Sequence, residues 1–295
     1  MAASSASENV ISESRQSSPV VTDLGLTRID RIPKDASVKV VADIVFVHGL
    51  QGHPRTTWET KTHTKAHKSL RERMRNVIPG WTKQDHAKQD YEVQGDTKVF
   101  WPADLLPDDH KDIRILTYGY DSKVTKGFIA PSSKNNIFQH GESLLNAICR
   151  SRTGCSDRPI IFVAHSLGGL LIKQALIEAQ KQKKTPSSQA LYAHTYAIIF
   201  FGTPHRGSDM ASWGLVLSNI TKAVQIDANK AILRDLDPSS GSSKLQELRK
   251  DFDDILHDRN HGNGTNMLRI YTFQEEQGMT GVSGLRSKVI MQATQ

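Results

Sequence analysis

The sequence predicts an α/β fold in which a mainly parallel sheet is covered by helices on both faces. From about residue 38, short apolar runs alternate with amphipathic stretches, as is typical of strands joined by helical crossovers. The chain has 295 residues, enough for one large domain with a substantial core. Hydrophobic residues make up 37% of the chain and charged residues 23%, as in soluble globular proteins.

A serine-rich segment precedes the predicted domain. Residues 1–23 hold few large apolar side chains and are expected to form a disordered tail, so the folded domain is predicted at 24–295. The tail has no apolar stretch typical of a signal peptide. No apolar run in the chain approaches the ~20 residues that span a bilayer. We therefore expect an intracellular, cytoplasmic protein.

The cysteines and the net charge do not indicate a metal or a nucleic acid. Cys149 and Cys155 lack metal-ligand spacing and cannot form a disulfide framework, so reduced thiols are expected. The formal net charge of +7 favours contact with anionic surfaces. The basic residues are scattered, however, and no nucleic-acid-binding motif accompanies them. No nucleic-acid partner is predicted, and any membrane contact would be peripheral.

Apolar runs and helical spacing mark the elements of the predicted sheet in order. Strands are predicted at 40–47, 113–118, 160–164, 196–201 and 267–273, the last of which is expected to be the final complete strand. Helices are predicted at 136–150, at 167–180, and around Leu245, Leu248, Phe252 and Ile255. The polar segment 60–98 is expected to form a helix and an irregular excursion.

The strongest chemical signal is a nucleophile elbow with Ser166 at its tip. A buried strand leads into the turn and a helix follows at once, while Ala164 and Gly168 stand two residues before and after the serine. Such a turn brings strand and helix too close for larger side chains at those two places. The backbone N–H of Leu167 would then be one oxyanion donor. An ordinary turn in which Ser166 only caps the helix is the alternative, and the agreement of strand, small residues and helix favours the elbow.

A second oxyanion donor is predicted at Leu50, in the His48-Gly49-Leu50 segment that follows the first buried strand. Gly49 would let the backbone approach the reacting carbon. Two N–H donors stabilise the charge that develops in a tetrahedral intermediate. His48 and His165 are expected to line the site or pack within it.

A third segment, 201–208, follows the strand after the elbow and contains His205. The carboxyl edge of a parallel sheet is where ligands bind, so this segment is predicted to lie near the site. His205 is expected to shape the loop or contact substrate more than to act as general base. Asp209 is an outside candidate for the acid.

The segments 42–53, 100–102, 164–169 and 201–207 together resemble the serine active site containing (SERAC-type) lipase-like family. They are also similar to GPI inositol-deacylases and to the hydrolase modules at the front of fungal NACHT or NB-ARC ankyrin proteins. The similarity spans about residues 24–290. It implies an α/β-hydrolase fold and hydrolysis of a lipid-like or small ester, without metal or organic cofactor. It also implies association with mitochondria, the endoplasmic reticulum or their membranes.

The resemblance maps the nucleophile onto Ser166 and the acid onto Glu275, with Glu276 as its alternative. In this fold the triad runs Ser, acid, His along the chain, yet the last histidine here is His261. In the similar family another strand follows, and residues 288–290 resemble its start, but the chain ends five residues later. We therefore expect a chain shortened at its C-terminus, without a complete last strand and histidine loop, and an unfinished sheet edge at which a protein partner could pair. Another histidine could replace the missing base only if the fold places it next to Ser166. The candidates are His48, His165, His257 and His261.

Three functions are compatible with these patterns. The predicted one is a serine esterase in which Ser166 attacks an ester carbonyl, the oxyanion lies between the Leu50 and Leu167 amides, and water releases the acid. The alternative is a catalytically impaired hydrolase-fold module that acts in protein interaction or signalling. A nucleotide-dependent enzyme is disfavoured because the sequence has neither G-x-x-x-x-G-K-[ST] nor G-x-G-x-x-G.

Overall fold

The computed structural model describes residues 19–33, 38–62, 97–122, 137–182, 185–203, 243–261, 267–274 and 290–294. The strands are β1 (Gly25–Arg28), β2 (Ala42–Val47), β3 (Glu59–Thr62), β4 (Thr97–Phe100), β5 (Ile113–Gly119), β6 (Ile160–His165), β7 (Thr195–Phe201), β8 (Arg269–Gln274) and β9 (Ile290–Thr294). The helices are α1 (Trp101–Asp104), α2 (Leu106–Asp109), α3 (Ile137–Ser151), α4 (Gly168–Lys181), α5 (Pro186–His194) and α6 (Ser243–His261).

Within these residues, seven strands form one sheet in the order β1-β5-β2-β6-β7-β8-β9, while β3 and β4 pair separately. The five inner strands are parallel, and β1 and β9 pair antiparallel at the two edges. The chain passes from β2 to β5 on one side and then to β6 on the other side of β2. The strand order thus reverses between β2 and β6, and the crevice at their carboxyl ends is where open parallel sheets bind ligands.

The core has one layer on each face of the sheet, and this is why the inner strands are nearly continuous apolar runs. Along β2, Val45 and Val47 face α3, α4, α5 and α6, whereas Ile44 and Phe46 face Trp58, Phe100 and the short helices α1 and α2. The pairing of β2 with β6 sets Val47 opposite Ala164. The loops that follow these two strands therefore begin side by side.

A buried ionic cluster holds the opposite, amino edge of the sheet. Asp43 at the start of β2 is fully buried and accepts a bidentate pair of hydrogen bonds from Arg114, at 2.8 and 2.7 Å. Arg158 reaches the same carboxylate at 3.0 Å, and Arg152 also bonds to it. The cluster ties β2 to β5 and to the segment between α3 and β6, and so fixes the strands that carry the carboxyl-edge loops.

The predicted α/β-hydrolase-type sheet is confirmed, and the predicted inner strands agree with the observed ones within about two residues at either end. The expectation that the last strand is missing is wrong, since a further strand follows the one over 267–273 near the residues that resemble its start. β9 pairs antiparallel along the outer side of β8, from Ile270 opposite Thr294 to Gln274 opposite Ile290. The physical reason is that unpaired N–H and C=O groups of an edge strand readily accept a further strand, even a short one. β9 is thereby the outermost strand at this edge of the described sheet, and the expected pairing with a protein partner stays a prediction.

Several predicted features fall wholly or partly on residues that the structure does not describe. They are the tail over 1–18, most of the polar segment 60–98, and the candidate site residues His205, Asp209, Glu275 and Glu276. Of the last tail residues, Val21 packs on the core and Asp23 bonds to His53. No helix in the described ranges has both the length and the apolar character needed to cross a bilayer.

Candidate functional site

Ser166 occupies a strained turn between β6 and α4. Its φ angle is +55°, in the left-handed region that residues with a β-carbon rarely adopt. Such a conformation costs of order 1–3 kcal/mol and persists only where the surroundings enforce it. Here the Ser166 N–H donates to the Phe201 carbonyl at 2.8 Å, and the Ser166 carbonyl accepts from the Gly169 N–H at 3.1 Å. This is the geometry of a nucleophile elbow.

Gly168 lets the first turn of α4 approach the end of β2. A β-carbon on Gly168 would lie 2.5 Å from the carbonyl oxygens of both Val47 and His48. Real β-carbons essentially never come so close to backbone atoms, so only glycine fits. The requirement for a small residue two positions after the serine therefore has a specific cause in this chain, which is the backbone of β2.

Gly49 lies directly against the side chain of Ser166. A β-carbon on Gly49 would be 2.7 Å from Ser166 Cβ and 2.9 Å from Ser166 Oγ. The segment predicted to carry the second oxyanion donor is thus brought to the predicted nucleophile, from a different strand and more than a hundred residues away in sequence. A bound ester carbonyl at Ser166 would meet backbone there and not a side chain.

The N–H groups of Leu50 and Leu167 flank this contact. Within the described residues neither N–H donates a hydrogen bond, so both can serve an oxyanion. The peptide that carries the Leu50 N–H is held by its carbonyl, since the Gly49 oxygen accepts from the Gly52 N–H at 3.1 Å. The donors are therefore backbone groups of fixed orientation.

His48 supports the Leu50 peptide from behind. Its ring is fully buried and stacks on Tyr120, with ring centroids 4.4 Å apart. The Tyr120 N–H lies 3.4 Å from Nε2, which must accept, so Nδ1 carries the proton and donates to the Gly49 carbonyl at 3.0 Å. Burial lowers the pKa of His48 to about 4, more than its bond to Gly49 raises it. His48 is thus neutral at pH 7, and both of its nitrogens are engaged in holding the loop.

The other described histidines considered as bases are not joined to the nucleophile. The ring of His165 lies edge-on to Trp58, with ring centroids 6.4 Å apart. Trp58 belongs to the core layer that also holds Phe46 and Phe100. The rings of His257 and His261 contact each other at a tilt of 43°, with centroids 4.9 Å apart, at the end of α6 and close in sequence to the amino end of β8. Within the described part of the chain no hydrogen bond joins Ser166 Oγ to an imidazole.

Two contributors to the site were missed from the sequence. Thr203, in the segment after β7, donates its hydroxyl to the Ser166 carbonyl at 3.0 Å. Tyr120, just after β5, donates its hydroxyl to the His48 carbonyl at 3.0 Å and stacks on the His48 ring. Thr203 lies within the segment 201–208 that the sequence singles out, but its bond to the Ser166 carbonyl is evident only from the structure.

Glu275 directly follows β8 in the sequence, and the carboxyl end of β8 lies at the same edge of the sheet as Ser166.

One family model and several curated proteins are similar to this chain. Residues 130–236, which include the elbow, match the family described as "Putative serine esterase (DUF676)". The chain is 27% identical over 226 residues to Protein SERAC1 of Bos taurus, and 29% identical over 225 residues to Protein SERAC1 of Danio rerio. These alignments cover 76% and 75% of this chain but only 30% and 29% of those proteins.

Among solved structures, the mature lipase BlEst2 of Bacillus licheniformis is similar over 87% of this chain and 74% of that chain. Its sequence identity to this chain is 18% and the TM-score is 0.42.

Proposed function

We propose that this chain, a relative of the SERAC-type serine esterases, hydrolyses carboxylic esters with Ser166 as its nucleophile. One observation carries the proposal: Ser166 is held at a φ of +55° with Gly49 packed against its hydroxymethyl group. This pairing sets a strained serine beside a backbone segment that has no side chain, and we place the attacked ester carbonyl there. The match to a serine esterase family over the elbow supports the same reaction class.

The proposed reaction is acyl transfer in two steps. Ser166 Oγ attacks the ester carbonyl carbon as its proton leaves to a base, and the carbonyl oxygen becomes an anion facing the Leu50 and Leu167 N–H groups. Collapse of this intermediate expels the alcohol, which takes up a proton, and leaves an acyl ester on Ser166. Water then attacks the acyl carbon and releases the carboxylic acid and the free serine.

The proposed acidic member of the triad is Glu275, because it follows β8 at the edge of the sheet that carries Ser166. Serine is a weak nucleophile unless a base accepts its proton. None of the described histidines is bonded to Ser166, so we propose no base from among them.

The proposed substrate is an ester of a lipid or of a small molecule, in line with the match to the family described as "Putative serine esterase (DUF676)". A lipid ester would bring the chain to a membrane surface, and the net charge of +7 would favour anionic headgroups there.

A second candidate is a hydrolase-fold module that binds a partner protein without turnover. The observation in its favour is that no described imidazole bonds to Ser166 Oγ. The two candidates are separated by hydrolysis of p-nitrophenyl acetate, butyrate and octanoate by the wild-type protein and by Ser166→Ala. An esterase predicts turnover that falls to background in Ser166→Ala, and the preferred ester length would report the acyl class. Equal rates in both folded proteins would overturn the proposal.

A further inference from the structure

Thr203 connects the end of β7 to the backbone of the elbow. It lies two residues beyond β7, is only 5% exposed, and places its Oγ1 3.0 Å from the Ser166 carbonyl oxygen. A carbonyl oxygen can only accept, so the Thr203 hydroxyl is the donor. The buried Thr203 hydroxyl thus makes a specific hydrogen bond to the elbow in addition to its packing contacts.

The carbonyl of Ser166 and the N–H of Leu167 belong to the same peptide group. The described chain has no cis peptide bond, so this C=O and this N–H point in opposite directions. A donor that holds the oxygen therefore also fixes the direction of the N–H. The Gly169 N–H contributes one such bond from within the first turn of α4, and Thr203 contributes the other from a neighbouring strand.

Thr203 is seated firmly enough to have this effect. A β-carbon on Gly169 would lie 2.4 Å from both Thr203 Oγ1 and Thr203 Cγ2, so the threonine packs directly on the start of α4. The backbone beside it is also anchored, because the Gly202 N–H donates to the Phe273 carbonyl of β8 at 2.9 Å. The hydroxyl is thus carried by β7 and β8 together.

We propose that Thr203 is a positioning residue whose hydroxyl orients the Ser166–Leu167 peptide, so that the Leu167 N–H points at the oxyanion. This inference rests on the proposed function, because the oxyanion is that of the esterase reaction. The arrangement parallels the other side of the site, where His48 donates to the Gly49 carbonyl and so orients the Leu50 N–H. Each of the two peptides is then held from behind by one side-chain donor and one backbone donor.

Two substitutions at this position separate the hydroxyl from the shape of the side chain. Thr203→Val keeps the branched shape and loses the donor, whereas Thr203→Ser keeps the donor and loses the methyl group that packs on Gly169. The measurement is the concentration dependence of labelling by a fluorophosphonate probe, which gives a maximal rate of Ser166 modification and an apparent binding constant. Thermal unfolding of both variants reports whether they fold.

We expect Thr203→Val to lower the maximal labelling rate by about fivefold to tenfold, the equivalent of one neutral hydrogen bond in the transition state. The apparent binding constant should not change, and Thr203→Ser should keep a rate within about twofold of wild type. A Thr203→Val protein that folds and labels as fast as wild type would overturn the inference while leaving the proposed function intact. Equal slowing in both variants would also overturn it, because packing would then be the cause.

If wild-type Ser166 does not react at all, the proposed function fails, and amide hydrogen exchange then decides the inference. The Ser166 N–H is bonded to the Phe201 carbonyl of β7, and the Gly169 N–H is bonded to the Ser166 carbonyl. Faster exchange of these amides in Thr203→Val, with wild-type protection in Thr203→Ser, would support the orienting role of the hydroxyl. Unchanged protection in Thr203→Val would overturn it.

Discussion

Gly49 and Ser166 are in such close contact that a β-carbon on the glycine would lie 2.9 Å from the serine hydroxyl oxygen. The two residues come from the ends of adjacent parallel strands, β2 and β6, whose register is fixed by pairing along their whole length. The contact is therefore a consequence of the sheet and not of a local loop. The contact places the Gly49 backbone beside the strained Ser166, and the proposed attack on an ester carbonyl depends on it.

The first prediction concerns this contact. We expect Gly49→Ala to lower esterase activity by about 10²-fold or more, because the new methyl group would displace either the serine or the peptide that carries the Leu50 N–H. The measurement is kcat/KM on a p-nitrophenyl ester.

A matched control is Gly154→Ala, a glycine at a φ of +83° with open space around it. That variant should lose about 1 kcal/mol of stability from backbone strain and keep its activity. If Gly49→Ala and Gly154→Ala were equally active, Gly49 would not border the reaction.

The second prediction is an acid-dependent loss of stability from His48. Burial lowers its pKa to about 4 in the folded protein, against 6.5 when unfolded. Between these values the unfolded state binds the extra proton, so the free energy of unfolding rises with pH across this window and falls on acidification. The full contribution of this one group is about 3 kcal/mol, present above pH 6.5 and lost toward pH 4.

The control for this pH dependence is His48→Asn, whose amide can still donate to the Gly49 carbonyl but does not titrate. Burial also lowers the pKa of His140, and this group is present in both proteins. Urea unfolding of both proteins at pH 7 and at pH 4.5 gives the part of the change in the free energy of unfolding that is due to His48. If the free energy of unfolding falls between pH 7 and pH 4.5 no more in the wild-type protein than in His48→Asn, His48 is not buried as a neutral ring.

The third prediction tests the ionic cluster at the amino edge. Asp43→Asn leaves Arg114, Arg152 and Arg158 around a neutral side chain, and the loss of a buried partner typically costs about 3–5 kcal/mol. We expect urea unfolding to show a loss of this size, with unchanged activity per folded molecule, because the cluster lies at the edge of the sheet opposite Ser166.

Asp108→Asn is the control for that experiment, because it breaks an exposed ion pair between Asp108 and Arg31. The Asp108 side chain is 63% exposed and the Arg31 side chain is 43% exposed. Its effect on the free energy of unfolding should stay below about 1 kcal/mol. Comparable effects of the two substitutions would contradict a structural role for the Asp43 cluster.

The parts of the site that could be predicted from the sequence are those encoded locally. The elbow is a strand, a small residue, a serine, a second small residue and a helix in succession, so the sequence alone assigns Ser166, Leu167 and Gly168 to the candidate site. His48-Gly49-Leu50 was found for the same reason, because it follows a buried strand. The comparison with SERAC-type proteins supports the family that these segments indicated.

The remaining features depend on contacts between distant segments. The bond from Thr203 to the Ser166 carbonyl spans 37 residues, and the bond between Tyr120 and the His48 ring spans 72. No periodicity in the sequence marks such pairs. β9 is anticipated only as an incomplete strand starting at 288–290, because an edge strand of five residues is defined mainly by the open side of β8 and little by its own pattern.

The most direct test of the central claim is covalent labelling with a fluorophosphonate probe, followed by mass spectrometry of the modified peptide. The wild-type protein and Ser166→Ala are compared after circular dichroism has shown that both are folded. We expect a phosphonyl adduct on Ser166 in the wild-type protein and none in Ser166→Ala. A folded wild-type protein that acquires no adduct, or acquires it on another residue, would contradict the assignment of Ser166 as an activated nucleophile.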